Sequence, residues 1–226
     1  TTQVTVTVSL VPAAPSIIPG PNQETAYNGS GTTLTNSFIV RGNANGPDTY
    51  NLVTSISGSS NSTNPTAPTA TITSGSSIVL GGTVTYGTST TTNLVVPADG
   101  VTNAPNPIVN GIQALDWVVV NGNSRQVQSV VDNASGTSNI ILGTALPTAP
   151  ASGTLVAEQK TVSVDVTAGD IDTVGVDITV DKNLTATSDT DGGETVTSGD
   201  ITDTFTSGAA TLYKYVRNAD TGTAGT

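Results

Sequence analysis

The chain has 226 residues, a net charge of −11, only 10% charged residues, and no cysteine, methionine or histidine. Without histidine and cysteine it lacks the commonest general base, the commonest thiol nucleophile and the usual zinc ligands, so we do not expect an enzyme. The acidic balance argues against nucleic acid and anionic membranes as partners, and no run of about eighteen apolar residues is present to insert into a membrane. Threonine and serine are abundant, and apolar residues are nowhere spaced as in a helix. The composition therefore predicts an all-β protein.

The first eleven residues, 1–11, predict a β-strand with one apolar face. Apolar and polar residues alternate strictly along it, and the apolar set is Val4, Val6, Val8 and Leu10. Residues 12–33 follow as a proline-rich arm and turn region, in which residues 12–21 predict an unpaired extended stretch of roughly 30 Å at about 3.1 Å per residue. An apolar strand on a stiff arm either folds back over its own molecule or fills a groove in another.

The remaining chain predicts two kinds of β unit. Strand-like segments at 34–41 and 49–56, joined by a turn rich in asparagine and glycine, indicate a hairpin. Between 76 and 157 the strands become short and closely spaced, which is typical of a small barrel. From residue 161 the alternation of apolar and polar residues seen at 1–11 returns. We therefore expect an immunoglobulin-like sandwich, built from residues 34–75 and 158–226, that is interrupted by a barrel-like domain at 76–157.

Residues 38–50, FIVRGNANGPDTY, form an apolar strand, an Asn/Gly turn and an Asp-Thr-Tyr strand, and residues 213–219, YKYVRNA, open in the same way. These segments resemble the immunoglobulin-like repeats of unknown function that recur in prokaryotic surface proteins. The resemblance implies an extracellular, cell-surface or filament role and carries no catalytic residues.

The layout of the chain also resembles that of extracellular filament subunits whose N-terminal strand completes the sandwich of the next subunit. A donated strand adds a ladder of main-chain hydrogen bonds, and its alternate side chains fill pockets of the acceptor. Such a contact is heterologous and produces an open fibre. The resemblance implies a homopolymeric, pilus-like fibre with an interface at Val4, Val6, Val8 and Leu10. The alternative, in which residues 1–11 form the first strand of the molecule's own sandwich, has equal weight.

An acidic turn near the C-terminus is a candidate calcium site. Its carboxylates are Asp189, Asp191 and Glu194, which flank a pair of glycines. Oxygen ligands on alternate residues around a glycine turn suit Ca²⁺, although the full spacing of an EF-hand is missing. The alternative is a solvated acidic turn, and we expect no cofactor other than calcium.

Other residue types offer few sites. Aromatic residues make up 4% of the chain, so no stacking platform for a polysaccharide is evident, and the single tryptophan, Trp117, lies in the most hydrophobic strand and is predicted to be core. An intramolecular Lys–Asn isopeptide bond would have to use Lys160, Lys182 or Lys214, and the pattern favours none of them.

The sequence thus predicts a structural subunit of an extracellular filament. A chain that begins at Thr1 with no initiator methionine is typical of a secreted mature form. Three alternatives stand beside a filament subunit: a cell-surface adhesin or carbohydrate-binding domain, an S-layer fragment, and a virion decoration protein.

Overall fold

The computed structural model describes residues 11–63, 65–101, 107–131, 136–190 and 193–208. All regular structure within these ranges is β-strand, so the all-β prediction is confirmed. The strands are, in chain order, β1 Ser16–Pro19, β2 Gln23–Ala26, β3 Thr33–Arg41, β4 Asp48–Ser60, β5 Thr69–Ile72, β6 Ser77–Leu80, β7 Gly82–Val84, β8 Asn93–Pro97, β9 Ile108–Val109, β10 Ile112–Gln113, β11 Trp117–Val120, β12 Asn123–Val131, β13 Thr137–Leu142, β14 Leu155–Thr167, β15 Ile178–Ser188, β16 Thr195–Thr197 and β17 Ile201–Thr206. The described residues contain no helix suited to spanning a bilayer.

Two sheets pack against each other as a sandwich. One has the strand order β2-β17-β15-β4-β6, and β16 also pairs with β15. In the facing sheet β3 lies between β1 and β14, and β5 pairs with the other edge of β14. Every pair in the sandwich is antiparallel except β2 with β17. Two adjoining clusters of buried side chains from both sheets form the core: Phe38, Val40, Tyr50, Leu52, Leu80, Val162, Val164, Leu184, Ala186 and Ile201, and Val166, Ala168, Ile178, Val180 and Phe205.

Strand β14 belongs to two units of the molecule. Its residues Gln159–Thr167 pair with β3, whereas residues 155–159 pair with β7 on one edge and β11 on the other. From β11 the sheet continues through β12, β13 and β8 and curls back, and the Tyr86 N–H donates to Val95 O at 2.6 Å where the ends approach. We call this curled part the barrel unit. The predicted fold class, a sandwich with an inserted β unit, is confirmed.

The barrel unit has an aliphatic core of its own. Its buried cluster contains no residue of the two sandwich clusters and consists of Leu94, Val96, Val109, Ile112, Val118, Val120, Val127, Val130, Ile140, Leu142, Leu146 and Val156. Glycines allow the two units to meet closely. A side chain at Gly82 would collide with the carbonyl oxygen of Ala44, in the turn between β3 and β4.

The proline-rich segment corrects one prediction. Residues Ser16–Pro19 do pair in a sheet, antiparallel to Phe38–Arg41. The prolines are tolerated because β1 lies at the edge of the sheet, where a missing N–H breaks no inner ladder. The turn region also contains a strand that was not predicted, β2, which extends the other sheet.

The boundary of the inserted unit is a second correction. The sequence places Ser77–Leu80 in the barrel-like domain, but β6 pairs with Asp48–Asn51 of β4, and Leu80 packs in the sandwich core. The chain therefore leaves the sandwich at Gly81 and Gly82, where close packing of backbones permits no larger residue. Residues 213–219, the second segment that resembles the immunoglobulin-like repeats, lie outside the described residues.

Candidate functional site

Four hydrogen bonds hold residues Val11–Ala14, which we call the arm root, against one end of the sandwich. The N–H of Val11 donates to Oδ1 of Asn45 at 2.7 Å, and the N–H of Ala14 donates to Oε2 of Glu194 at 2.9 Å. In the other direction, Asn43 Nδ2 donates to Ala14 O at 2.7 Å. The hydroxyl of Tyr50 donates to Ala13 O at 3.3 Å. The chain N-terminal to Val11 therefore starts from a fixed point beside the β3–β4 turn.

Buried groups beneath the arm root keep this end of the sandwich rigid. Burial, with the nearby Asp48 carboxylate second, raises the pKa of Tyr50 to about 12, so its phenol stays a donor over the physiological range. Asp48 is itself buried, and its oxygens accept hydrogen bonds from the hydroxyls of Ser188 and Thr190, each at 2.8 Å. Hydrogen bonds among these residues therefore fix the position of the arm root at this end of the sandwich.

Half of β4 presents an open edge. On its far side from β15, β4 pairs with β6 over Asp48–Asn51, and Leu52 N–H donates to Ser76 O at 2.8 Å. Beyond Leu52 no described strand pairs with that side of β4. Because N–H and C=O groups alternate in direction along a strand, Thr54 and Ile56 point theirs to the same side as Leu52. We call residues 53–60 the open edge.

Apolar side chains beside the open edge are only partly covered. Ile56, on the inward face of β4, is half-buried and packs against a sandwich cluster together with Ala70 of β5. Ile72, also on β5, is half-buried in the same way. The strands β4 and β5 belong to facing sheets. An unpaired strand edge next to half-covered apolar side chains is a surface that a further strand could complete.

The predicted donor residues, Val4, Val6, Val8 and Leu10, lie outside the described residues. The predicted interface therefore stays a prediction, and the arm root and the open edge are what the structure adds to it. No sequence signal marked the open edge, because the alternation of β4 continues through its paired and unpaired halves alike.

The candidate calcium turn is partly described. Asp189 Oδ1 accepts from Asn51 Nδ2 at 3.3 Å, and Glu194 holds the arm root, whereas Asp191 lies outside the described residues. Across the ranges that the structure describes, no three carboxylates gather as a metal site. The calcium prediction stays untested, and Glu194 has a visible structural use.

Trp117 corrects the prediction that it is a core residue, since 48% of its surface is exposed. In β11 the three residues that follow it are all buried, Val118 and Val120 in the barrel core, so the strand shows no alternation from which to predict the outer face. Trp117 stands opposite Gln126 on one neighbouring strand and Gln159 on the other. Directly opposed residues in antiparallel strands share a face, so these two amides flank the indole.

A groove of about 210 Å³ opens beside Trp117. It lies along β14, between the residues that pair with β11 and those that pair with β5. It is lined by Ile39, Leu115, Asp116, Trp117, Glu158, Gln159, Lys160 and Thr161. Burial raises the pKa of Glu158, although its Oε2 accepts the Gly81 N–H at 2.5 Å and its Oε1 lies 2.9 Å from Lys160 Nζ. Burial also raises the pKa of Asp116. The groove therefore combines one exposed indole with acidic and amide groups.

No protein-family model matches the sequence. No curated protein matches it either. Among solved structures, the chain is similar to the CooA pilin subunit from enterotoxigenic Escherichia coli, at a TM-score of 0.33 and 10% identity over 86% of this chain and 99% of that one. It is also similar to a PapD-like domain of human CEP192, at a TM-score of 0.28 and 9% identity over 93% and 96%. A third similar structure is AvmM, which catalyses macrocyclization in alchivemycin A biosynthesis, at a TM-score of 0.26 and 13% identity over 88% and 91%.

Proposed function

We propose that the protein is a structural subunit of an extracellular, cell-surface filament and polymerises by donating its N-terminal strand to a second copy. The observation that carries the proposal is the open edge at residues 53–60, bordered by half-buried Ile56, Ala70 and Ile72. The donated segment is the alternating strand with Val4, Val6, Val8 and Leu10 on one face. Its apolar face matches the partly covered side chains, and its backbone would pair with the groups of Thr54 and Ile56 that no described strand pairs.

The fixed arm root supports exchange between copies rather than folding back. Val11 is held beside Asn45, at the end of the sandwich where the β3–β4 turn lies. The open edge starts midway along β4, beyond its paired half, and continues to Ser60 at the opposite end, where Ser60 faces Thr179. A donor strand leaving one end and an acceptor edge reaching the other produce a head-to-tail contact that repeats without closing.

A mixing experiment separates donation from internal pairing. The donor-defective variant carries Val6→Asp and Val8→Asp. The acceptor-defective variant is Thr54→Pro, which removes an N–H from the open edge and leaves the β15 side of β4 intact. Thr54→Val is the matched control, because it keeps the N–H.

Wild type and Thr54→Val should form fibres by electron microscopy, and each defective variant alone should stay monomeric. Mixing the two defective variants should give heterodimers by native mass spectrometry, since one working donor and one working acceptor remain. Fibres from the donor-defective variant, or a mixture that stays monomeric, would contradict strand donation.

Carbohydrate binding is a second candidate function, favoured by the exposed indole of Trp117. An indole face packs against the apolar face of a sugar ring, and the neighbouring Gln159 amide and Asp116 carboxylate suit its hydroxyls. Because Trp117 is the single tryptophan of the chain, its fluorescence reports on this groove alone.

Titration of the protein with neutral oligosaccharides tests this second candidate. Binding should shift the tryptophan emission with saturation, and Trp117→Ala should lose binding on a glycan array while retaining the wild-type melting temperature. An unchanged emission together with equal array signals from wild type and variant would exclude the groove as a saccharide site.

A further inference from the structure

Three polar side chains meet inside the sandwich. Lys182, Asp203 and Asn36 are each at most 1% exposed. Lys182 Nζ donates to Asp203 Oδ2 at 2.5 Å, and Asn36 Nδ2 donates to the same oxygen at 2.7 Å. A lysine amine and an asparagine amide therefore contact one carboxylate oxygen and lie side by side.

The cluster bridges the two layers of the sandwich. Asn36 is on β3 in one sheet, whereas Lys182 and Asp203 are on the neighbouring strands β15 and β17 of the other. Each of the three is on the inward face of its strand, between apolar residues. A covalent bond between Asn36 and Lys182 would therefore join the two sheets through the core.

The surroundings favour reactive forms of these groups. The neighbouring inward side chains are apolar: Phe38, Val180, Leu184, Ile201 and Phe205. Burial lowers the pKa of Lys182, against the opposing effect of its bond to Asp203, and so favours the neutral amine, which is the nucleophilic form.

Two buried oxygen atoms of the cluster are also without a partner among the described residues. They are Oδ1 of Asn36 and Oδ1 of Asp203. A purely structural ion pair is expected to satisfy such atoms, because a buried unpaired acceptor is costly. Here the free carbonyl oxygen belongs to the amide that the lysine would attack.

We propose that Lys182 and Asn36 form an intramolecular isopeptide bond, with Asp203 as the catalytic acid and base. Asp203 takes a proton from the Lys182 ammonium, and the neutral Nζ attacks Cγ of Asn36. The Nζ–Cγ bond forms and the Cγ–Nδ2 bond breaks. Two protons pass from Nζ to Nδ2 through Asp203, ammonium leaves, and the carboxylate is regenerated. One amide replaces another, so the reaction requires no oxidant and no cofactor, and it is independent of strand donation.

Mass spectrometry of the full chain tests the proposal directly. The intact mass should be lower than the sequence mass by one molecule of ammonia. Proteolysis should release one branched species that contains the segments around Asn36 and Lys182, with tandem fragments that locate the bond. Because a succinimide at Asn36 also loses ammonia, the branched species is the decisive observation. An intact mass equal to the sequence mass, or ammonia loss with the two residues in separate peptides, would overturn the proposal.

Variants assign the role of each group. Asp203→Asn preserves the size of the side chain but transfers no proton, and Asn36→Ala removes the electrophile, so both should have no cross-link. Lys160→Arg, at another lysine, should keep it. Circular dichroism of each variant shows whether the fold is retained. A cross-link that persists in folded Asp203→Asn would refute the role of Asp203.

Discussion

The sandwich and the barrel unit share β14 but are stabilised differently. The barrel core is aliphatic throughout, and its sheet curls until its ends approach. The sandwich places an ion pair inside its core, and along half of β4 one edge has no partner strand among the described residues. Buried aliphatic side chains have no polar groups that need a partner. A buried charge, in contrast, lowers stability through desolvation, and an exposed strand edge favours aggregation. The sandwich therefore carries the features on which the proposed strand donation and the proposed isopeptide bond depend, whereas the barrel unit is a separately packed unit with one exposed groove.

The largest effect should come from removing the buried amine. Lys182→Met leaves the Asp203 carboxylate uncompensated in the core, and we expect a loss of about 3–5 kcal/mol in the free energy of unfolding, measured by chemical denaturation. Leu184→Met, two residues away on the same inward face, is the control and should cost less than about 1.5 kcal/mol. Equal losses for the two variants would show that Lys182 is an ordinary packing residue.

A cavity in the barrel unit tests whether the two units are coupled. Leu94→Ala should lower the free energy of unfolding by about 2–5 kcal/mol, as should Leu184→Ala in the sandwich. Because β14 is a strand of both units, calorimetry should show a single transition for each variant. Two separate transitions would mean that β14 does not join the units cooperatively.

The junction between the units should tolerate little change. Gly82→Ala places a methyl group against the backbone of Ala44, and we expect a loss of about 1–3 kcal/mol from overpacking. Gly199→Ala, where no atom lies near the added carbon, is the matched control. A melting temperature for Gly82→Ala equal to that of the control would show that the contact relaxes freely.

The smallest effect concerns Glu158, where burial raises the pKa above the ordinary value of 4.5. The folded state then binds this proton more tightly than the unfolded state, so stability falls as the pH rises through the interval above 4.5. Glu158→Gln should remove this fall, so that its stability relative to wild type increases between pH 4 and pH 7. Denaturation across that range measures it, with Glu24→Gln as the control for loss of one charge. A difference that is independent of pH would contradict the shift.

Alternation predicted much of the framework because it reports burial directly. Residues 161–166 alternate strictly, and in the structure they belong to β14, which pairs with β3, the strand predicted at 34–41. The alternation also pointed to the buried cluster. Lys182 stands at an inward-facing position between Val180 and Leu184, and Asp203 stands at one between Ile201 and Phe205. A charged residue in the apolar phase of a strand was therefore the clue, although only the fold brings the two strands together.

Other features depend on position in the sheet, which local sequence does not encode. Pro15 and Pro19 disfavour pairing in general, and only the edge location of β1 makes it possible. Trp117 is exposed because β11 begins at the outer face, whereas its apolar neighbours suggest burial. The open edge arises because β4 is longer than β6, a mismatch between strands far apart in the chain.

The sharing of β14 has a mechanical consequence. Nine residue pairs, from Gln159 with Arg41 to Thr167 with Thr33, join it to β3 in antiparallel register. Tension along the strand axis would load these hydrogen bonds together, in shear, whereas tension across it would open them one at a time. We therefore expect a molecule that is pulled along the axis of β14 to resist extension far better than one that is pulled across it.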